Sequence, residues 1–268
     1  MVQKQLQYKE NIISYETFGS GSEYILSFHG YAQSASRWSI LEPYLHPRFT
    51  LFAFDLPYHG YTQWKEVDTF TVASLVEIIK EILPAGVKKF NLLAYSMGGR
   101  IALRLLQEIP QMITKVVLLA PDGLHRNPWY RFATHTVLGR KIFNEFKKNP
   151  KLIITVGKRL KKQGVLSEQM YNLAHYYIHD ETSRFLLYNR WISTRHFQPN
   201  LKLLRQIISH YHIPVEMVFA KHDKVIVADH GIDFIKGLEN EARLHIIDTG
   251  HSFLYAPQAA FIASLING

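Results

Sequence analysis

Residues 90–100 include the side chain best placed to do chemistry, because an apolar run ends there abruptly in Ser96 and a helix-forming run follows. A serine at such a strand-to-helix turn is forced into a strained backbone conformation, which only small neighbours permit. Ala94 lies two residues before Ser96, and Gly98 lies two residues after it. The pattern predicts a nucleophile elbow, in which the turn lifts a reactive hydroxyl clear of the sheet. The alternative is an ordinary turn whose serine caps the helix.

A serine hydroxyl becomes a nucleophile when a base takes its proton and a carboxylate orients that base. In an open parallel sheet, such groups gather at the carboxyl ends of the strands. His251 follows an apolar strand across a short loop, so it is the predicted base. Asp223 comes three residues after another apolar strand and is the predicted acid, with Asp122 as its rival. Two further aspartates have simpler explanations. Asp248 is interpreted as a turn former, and Asp229 as a negative charge near the start of a helix.

An acyl-transfer intermediate also needs two N–H groups that face its oxyanion. Met97 follows the serine at the start of a helix, so its amide is one predicted donor. The strand that ends at Phe28 leads into His29 and Gly30, and the glycine lets the backbone of Tyr31 approach the elbow. The Tyr31 amide is the second predicted donor. We expect His29 to brace this loop through hydrogen bonds of its side chain and not to act as a second base.

Strand-like and helix-like segments alternate along both ends of the chain. Two short β segments come first, at 5–8 and 12–18. Further strands are predicted over 24–28, 50–55, 90–95, 115–120, 215–220 and 243–247, and helices over 35–45, 71–83, 99–108, 228–238 and 252–265. The strands are continuous apolar runs, as expected where a parallel sheet is buried on both faces. This rhythm predicts a doubly wound, mostly parallel α/β sheet.

The alternation stops between residues 122 and 210, where aromatic and basic residues are frequent. Apolar spacing predicts helices near 140–148, 167–179 and 181–194 and no buried strand. We predict a helical insertion at 122–210 that acts as a lid on a core formed by 1–121 and 211–268. The aromatic residues of this insertion are interpreted as lid core and not as ligand contacts: Trp129, Tyr130, Phe132, Tyr176, Tyr177 and Trp191.

The chain is strongly basic, with a formal net charge of +9 and a pI near 9.5. Residues 141–162 hold eight lysines and arginines against one acid, Glu145. Such a cluster could attract an anionic substrate, a membrane surface or a nucleic acid. Aromatic residues interleaved with basic ones are typical of nucleic-acid binding, and only Phe143 and Phe146 lie nearby. We therefore interpret the cluster as a solvated helical face and predict no nucleic-acid partner.

The remaining bulk properties limit the class of protein. A chain of 268 residues, 47% of them hydrophobic, suits one α/β domain with an insertion and argues against disorder. No apolar stretch approaches the roughly 18 residues that cross a bilayer, and the N-terminal residues lack the apolar region of a signal peptide. A cytoplasmic location is thus expected. The chain has no cysteine, which excludes disulfides and thiolate metal sites, and no cofactor or metal is predicted.

Taken together, these motifs resemble the α/β-hydrolase fold superfamily over essentially the whole chain. Five motifs carry the resemblance, in the order that the family shows: the oxyanion loop at His29-Gly30, the loop at residues 54–60, the elbow at 94–99, the acid Asp223 and the base His251. Two positions depart from the pattern, since Tyr58 replaces the first glycine of the D-x-x-G-x-G loop and Ala94 replaces the first elbow glycine. Asp55 and His59 of the loop at residues 54–60 are expected to be structural.

The resemblance implies a serine hydrolase that cleaves carboxylic esters of small to medium molecules through an acyl-enzyme. A second interpretation is a lyase, because residues 95–100 are similar to the elbow of the menaquinone-pathway synthase, which eliminates pyruvate. In that enzyme the elbow arginine and basic lid residues hold substrate carboxylates, which makes Arg100 a candidate substrate contact here. Tyr95 of the same elbow is a second candidate. A C–C bond hydrolase is a further alternative. A non-catalytic binding protein would be expected to lack one triad member, and the sequence offers all three.

Overall fold

The computed structural model describes residues 2–164, 172 and 180–268. Contacts between residues divide the chain into two compact units. Met1–His125 and His196–Gly268 form the first unit, and Arg126–Arg195 form the second. Among the residues described, no helix is both long enough and apolar enough to cross a bilayer.

The first unit is built on an eight-stranded sheet within the described residues. Its strands are β1 (Val2–Tyr8), β2 (Asn11–Gly19), β3 (Glu23–Phe28), β4 (Phe49–Phe54), β5 (Phe90–Tyr95), β6 (Ile113–Leu119), β7 (Val215–Ala220) and β8 (Ala242–Ile247). They are arranged in the order β1-β2-β4-β3-β5-β6-β7-β8. β2 pairs antiparallel with β1 and β4, and all the other neighbours are parallel. The predicted mostly parallel sheet is confirmed.

Helices of the first unit follow most of its strands and lie on both faces of the sheet. Across both units, the helices of the described residues are, in chain order, α1 (Val72–Ile82), α2 (Met97–Glu108), α3 (Pro128–His135), α4 (Val137–Lys148), α5 (Pro150–Lys162), α6 (Glu181–Ser193), α7 (Leu201–Tyr211), α8 (Ala228–Ile235) and α9 (Ala256–Asn267). The predicted helix at 35–45 is a 3-10 helix, Ala35–Tyr44. α1, α2, α7 and α8 contribute to one hydrophobic core, and the 3-10 helix and α9 contribute to the other.

β5 shows why both faces of the sheet are apolar. All six of its residues are buried, and their side chains alternate between the two cores. Leu92 and Ala94 pack in the core with α1 and α2, whereas Leu93 and Tyr95 pack in the core with α9. A strand buried in this way needs a continuous apolar run. The winding of helices around both faces is therefore encoded locally, in the strands themselves.

The last helix begins four residues later than its pattern predicts. Residues 252–255 precede α9, with Phe253 and Leu254 completely buried. Pro257 lies in the first turn of α9, where its missing N–H is not needed. The proline thus marks the start of the helix, and the buried pair anchors the loop that carries His251.

The second unit consists of α3 to α6 among the described residues. Its helices pack through aromatic contacts, since Trp191 of α6 lies 5.2 Å from Tyr130 and 5.5 Å from Phe143 between ring centroids. The predicted helices at 140–148 and 181–194 correspond to α4 and α6, whereas α3 and α5 were not predicted separately. Apart from residue 172, the prediction at 167–179 lies outside the described residues, and so do its two tyrosines, Tyr176 and Tyr177.

The ends of the second unit differ from those of the predicted insertion at 122–210. α7 belongs to the first unit, because Leu204 and Ile208 are completely buried in the core that α2 also lines. The apolar spacing of α7 cannot reveal which core it enters. That the second unit acts as a lid stays a proposal.

Candidate active site

Ser96 occupies the turn between β5 and α2 in a strained conformation, with φ 49° and ψ −116°. Such values are rare for residues other than glycine and persist only where the surroundings enforce them. The Ser96 amide donates to the carbonyl of Leu119 at 2.9 Å, and its own carbonyl accepts from the amides of Gly99 and Asp122, each at 2.8 Å. Three backbone hydrogen bonds therefore hold the strained turn.

The glycines of the turn are required by close backbone approach. A Cβ atom added to Gly98 would lie 2.1 Å from the carbonyl oxygen of Phe28, and one added to Gly99 would lie 2.6 Å from the Cα of Pro121. Both atoms belong to the main chain and cannot move away cheaply. Ala94, in contrast, is completely buried and keeps its methyl group within the core.

We predict that Gly98→Ala destabilises the protein by about 1–3 kcal/mol, because the new methyl group overlaps the end of β3. Denaturant unfolding followed by circular dichroism measures the change. Gly250→Ala is the matched control, since its Cβ would meet nothing within 4 Å. The control should change the free energy of unfolding by less than about 0.5 kcal/mol. Equal effects of the two substitutions would contradict this account of the turn.

Three side chains predicted from the sequence meet at the elbow. The Ser96 hydroxyl lies 3.1 Å from Nε2 of His251, and Nδ1 of His251 lies 2.6 Å from Oδ2 of Asp223. The Asp223 side chain is completely buried, whereas that of His251 is partly accessible. The other carboxylate oxygen, Oδ1, accepts from the amides of Val225 and Ile226 at 2.7 and 2.9 Å. With its Nδ1 proton directed at the carboxylate, the imidazole presents a lone pair to the hydroxyl.

The sheet brings these groups together because β5, β7 and β8 are parallel and end at the same edge. The loops after β7 and β8 are also joined to each other. The backbone amide of His222 donates to the carbonyl of Thr249 at 2.9 Å, and Nε2 of the His222 ring lies 2.8 Å from Oδ1 of Asp248. Asp248, interpreted from the sequence as a turn former, thus also contacts the neighbouring loop.

Asp122, the rival acid, has a different partner. Its Oδ2 accepts from the guanidinium of Arg100, and its Oδ1 accepts from the amide of Gly123 at 2.7 Å. The pair ties α2 to the segment that follows β6. Arg100, a candidate substrate contact in the sequence, therefore has its charge compensated within the protein.

Tyr95 has a role that sequence reasoning missed. Its hydroxyl donates to the carbonyl of His251 at 2.6 Å, and its ring stacks on the imidazole with the centroids 5.6 Å apart. Burial raises the pKa of this hydroxyl to about 12, so it stays a donor at neutral pH. The structure thus places Tyr95 against the main chain and ring of His251. The sequence did contain a signal for this role, namely a hydroxyl-bearing aromatic residue at the end of an apolar strand.

The predicted oxyanion donors lie on two segments next to Ser96. Met97 is the first residue of α2, where amides are not used within the helix. Tyr31 follows the loop of His29 and Gly30 after β3. The His29 ring is engaged on both sides, since Nδ1 donates to the carbonyl of Gly30 at 2.7 Å and Nε2 accepts from the amide of Leu56 at 3.1 Å. The ring braces the loop, as the sequence indicated.

Asp55 serves the neighbouring loop. Its carboxylate accepts from the amide of Ala35 at 2.7 Å and from that of Tyr61 at 3.0 Å. A Cβ on Gly60 would collide with this carboxylate at 2.1 Å. The loop at residues 54–60 thus closes around Asp55, although Tyr58, with φ 64°, occupies the position where the pattern has glycine.

Comparisons with known proteins agree with this architecture. The structure resembles a thioesterase domain from the curacin biosynthetic pathway, with a TM-score of 0.64, 17% identity and coverage of 100% of this chain and 99% of that one. It also resembles 2-hydroxy-6-oxo-6-phenylhexa-2,4-dienoate hydrolase of Rhodococcus sp. strain RHA1, with a TM-score of 0.62, 20% identity and coverage of 100% and 99%. At these identities the likeness concerns the fold.

Sequence relatives match over shorter stretches. A pimeloyl-[acyl-carrier protein] methyl ester esterase of Nitrosomonas europaea is 30% identical over 119 residues, which cover 44% of this chain and 45% of that protein. An uncharacterized hydrolase of Bacillus subtilis, YugF, is 27% identical over 158 residues, which cover 58% and 53%. The chain thus spans about half the length of these curated relatives. A profile of the alpha/beta hydrolase fold matches residues 24–256. The chain belongs to the α/β-hydrolase fold family.

Proposed function

We propose that this protein is a serine hydrolase that cleaves carboxylic esters through an acyl-enzyme. The observation that carries the proposal is the continuous hydrogen-bonded series from the Ser96 hydroxyl through His251 to the buried Asp223. A hydroxyl, an imidazole and a carboxylate in this order provide a nucleophile, its base and the group that orients the base. The name of the esterase relative from Nitrosomonas europaea supports ester chemistry.

In the proposed mechanism, Nε2 of His251 takes the hydroxyl proton as Ser96 attacks the acyl carbonyl. The amides of Met97 and Tyr31 stabilise the oxyanion of the tetrahedral intermediate. The imidazolium then gives its proton to the leaving alcohol, and the acyl group stays on the serine. A water molecule, deprotonated by the same imidazole, later releases the acid. Asp223 keeps the imidazole in the required tautomer and stabilises its charged form.

We propose substrates of small to medium size, with the second unit as a lid.

The lyase alternative required the Arg100 guanidinium for a substrate carboxylate. The pairing of Arg100 with Asp122 favours a structural role for this side chain instead. A C–C bond hydrolase would use the same serine, base and acid, and no observation on the described residues favours it over an esterase. Turnover of p-nitrophenyl acyl esters of increasing length tests ester cleavage against the lyase alternative.

The proposal is tested by labelling with a fluorophosphonate probe, which reacts with activated serines. We expect one label per chain, located on Ser96 by peptide mass spectrometry. Because the reaction needs the base, His251→Ala should abolish the label while the protein remains folded. The control is His210→Ala, which alters an exposed histidine of α7 and should leave labelling intact. A folded wild-type protein that is not labelled, or is labelled elsewhere, would refute the proposed nucleophile.

Tyr95→Phe tests whether Tyr95 positions the base. Removing the hydroxyl deletes one hydrogen bond to the His251 carbonyl, so we expect kcat on p-nitrophenyl esters to fall by about two- to tenfold. KM should stay nearly constant, because the hydroxyl is committed to His251. Tyr8→Phe is the matched control, since Tyr8 lies on the edge strand β1 and its hydroxyl donates to Glu77 of α1. A rise in KM at unchanged kcat would instead identify Tyr95 as a substrate contact, as the sequence suggested.

A further inference from the structure

The excess positive charge of the chain is concentrated in the second unit. Residues 126–195 contain 14 lysines and arginines against four acids, whereas the rest of the chain contains 17 against 18. The first unit therefore has a formal charge of −1, whereas the second unit, of 70 residues, has a formal charge of +10. A field of one sign on one unit attracts an anionic partner to that unit.

α4 combines positive charge with exposed apolar groups on one side. Its buried residues Gly139, Phe143 and Phe146 face the interior of the unit. At about 100° of rotation per residue, the opposite side presents an arc that combines three apolar residues with two lysines. This arc consists of Val137, Leu138, Lys141, Ile142 and Lys148, with the half-buried Glu145 among them, and its apolar members are 64%, 62% and 39% exposed. Adjacent apolar residues left this open are typical of an interaction surface.

α5, the next helix along the chain, also has an exposed basic side. The same rotation places four exposed basic residues on one side, Lys151, Lys158, Arg159 and Lys162, together with exposed Val156. Gly157 lies on the opposite, buried side. The helix contains no Asp or Glu. We define the α4–α5 surface as these exposed residues of the two consecutive helices.

We propose that the α4–α5 surface binds the surface of an anionic lipid bilayer. Lysine and arginine attract the negative headgroups, and the apolar side chains of α4 enter the boundary between headgroups and acyl chains. Long basic side chains suit this arrangement, because their stems lie along apolar material while their charges reach the headgroups. The proposal does not depend on the hydrolase activity, since it concerns helices of the second unit alone.

Charge by itself would equally fit an acidic protein or a small anionic substrate. The apolar residues favour the bilayer, because Val137, Leu138 and Ile142 share one exposed side of α4 with Lys141 and Lys148, and helices that lie in a membrane interface combine apolar and basic residues in this way. A small anion would need a concave pocket of convergent donors, whereas these side chains are spread over the open sides of two helices.

Sedimentation of the full chain with vesicles tests the proposal. We expect binding to vesicles of equal parts phosphatidylglycerol and phosphatidylcholine and little binding to pure phosphatidylcholine. Reversing the four α5 charges with K151E/K158E/R159E/K162E should weaken binding by at least about tenfold. The matched control reverses four exposed lysines of the first unit, K4E/K88E/K89E/K202E, and should bind much more tightly than the α5 variant, although its net charge is the same.

The apolar contribution is tested separately with L138S/I142S, which should weaken vesicle binding at least about threefold. Its control, L203S/I232S, removes similarly exposed residues from the first unit and should bind like the wild type. Circular dichroism shows that each variant remains folded. The proposal is overturned if the wild type does not sediment with anionic vesicles, or if the two charge variants lose binding equally. If L138S/I142S binds the vesicles as tightly as the wild type, charge attraction alone explains the binding, as it would to any acidic macromolecule. This result would also reject the proposal.

Discussion

Ser96→Ala is expected to lower kcat for p-nitrophenyl ester hydrolysis by about 10⁶-fold, to the rate supported by binding and oxyanion donors alone. The alanine removes only the hydroxyl that lies 3.1 Å from His251, while the strained turn keeps its backbone hydrogen bonds. The protein should therefore fold normally. Steady-state kinetics on purified protein, with circular dichroism as a measure of folding, give the result.

A double substitution shows whether the serine and the histidine act as one unit. If His251 works only through the Ser96 hydroxyl, Ser96→Ala/His251→Ala should be no slower than Ser96→Ala alone. Additive losses would mean that His251 acts on another group. Residual ester hydrolysis within about tenfold of the wild type in Ser96→Ala would end the proposal of a serine nucleophile.

Asp223→Asn is expected to lower kcat by about 10⁴-fold with little change in stability. An asparagine keeps one oxygen, which can still accept from the amides of Val225 and Ile226. Its NH₂ group then faces Nδ1 of His251, so the imidazole must carry its proton on Nε2. In that tautomer the nitrogen next to Ser96 has no lone pair with which to take the hydroxyl proton. Kinetics and thermal unfolding of the variant measure the two effects separately.

Asp122→Asn is the matched control for this assignment, because Asp122 is the rival carboxylate at the same edge of the sheet. It should lower stability moderately, since the Arg100 side chain loses its ionic partner. Its kcat should stay within about tenfold of the wild type. If Asp122→Asn were the more severe of the two in kcat, the acid would have been assigned to the wrong strand.

These residues differ in how far local sequence determines them. The elbow was predictable, because the strained turn at Ser96 fits only where its neighbours within a few positions of the chain are small. β5 and β7 were predicted with the bounds that the structure shows, since a strand buried on both faces must be a continuous apolar run. The membership of the family follows from such local motifs in a fixed order.

Contacts between distant segments decided the rest. Both Asp223 and Asp122 follow core strands, and only the folded chain pairs one with His251 and the other with Arg100. The hydrogen bond from Tyr95 to His251 joins residues 156 positions apart, so no local pattern encodes it. The assignment of α7 to the first unit likewise depends on which core its apolar side enters. Periodicity and turn chemistry act over a few residues and determine the elements, whereas the partner of each buried charge or hydroxyl depends on packing across the whole chain.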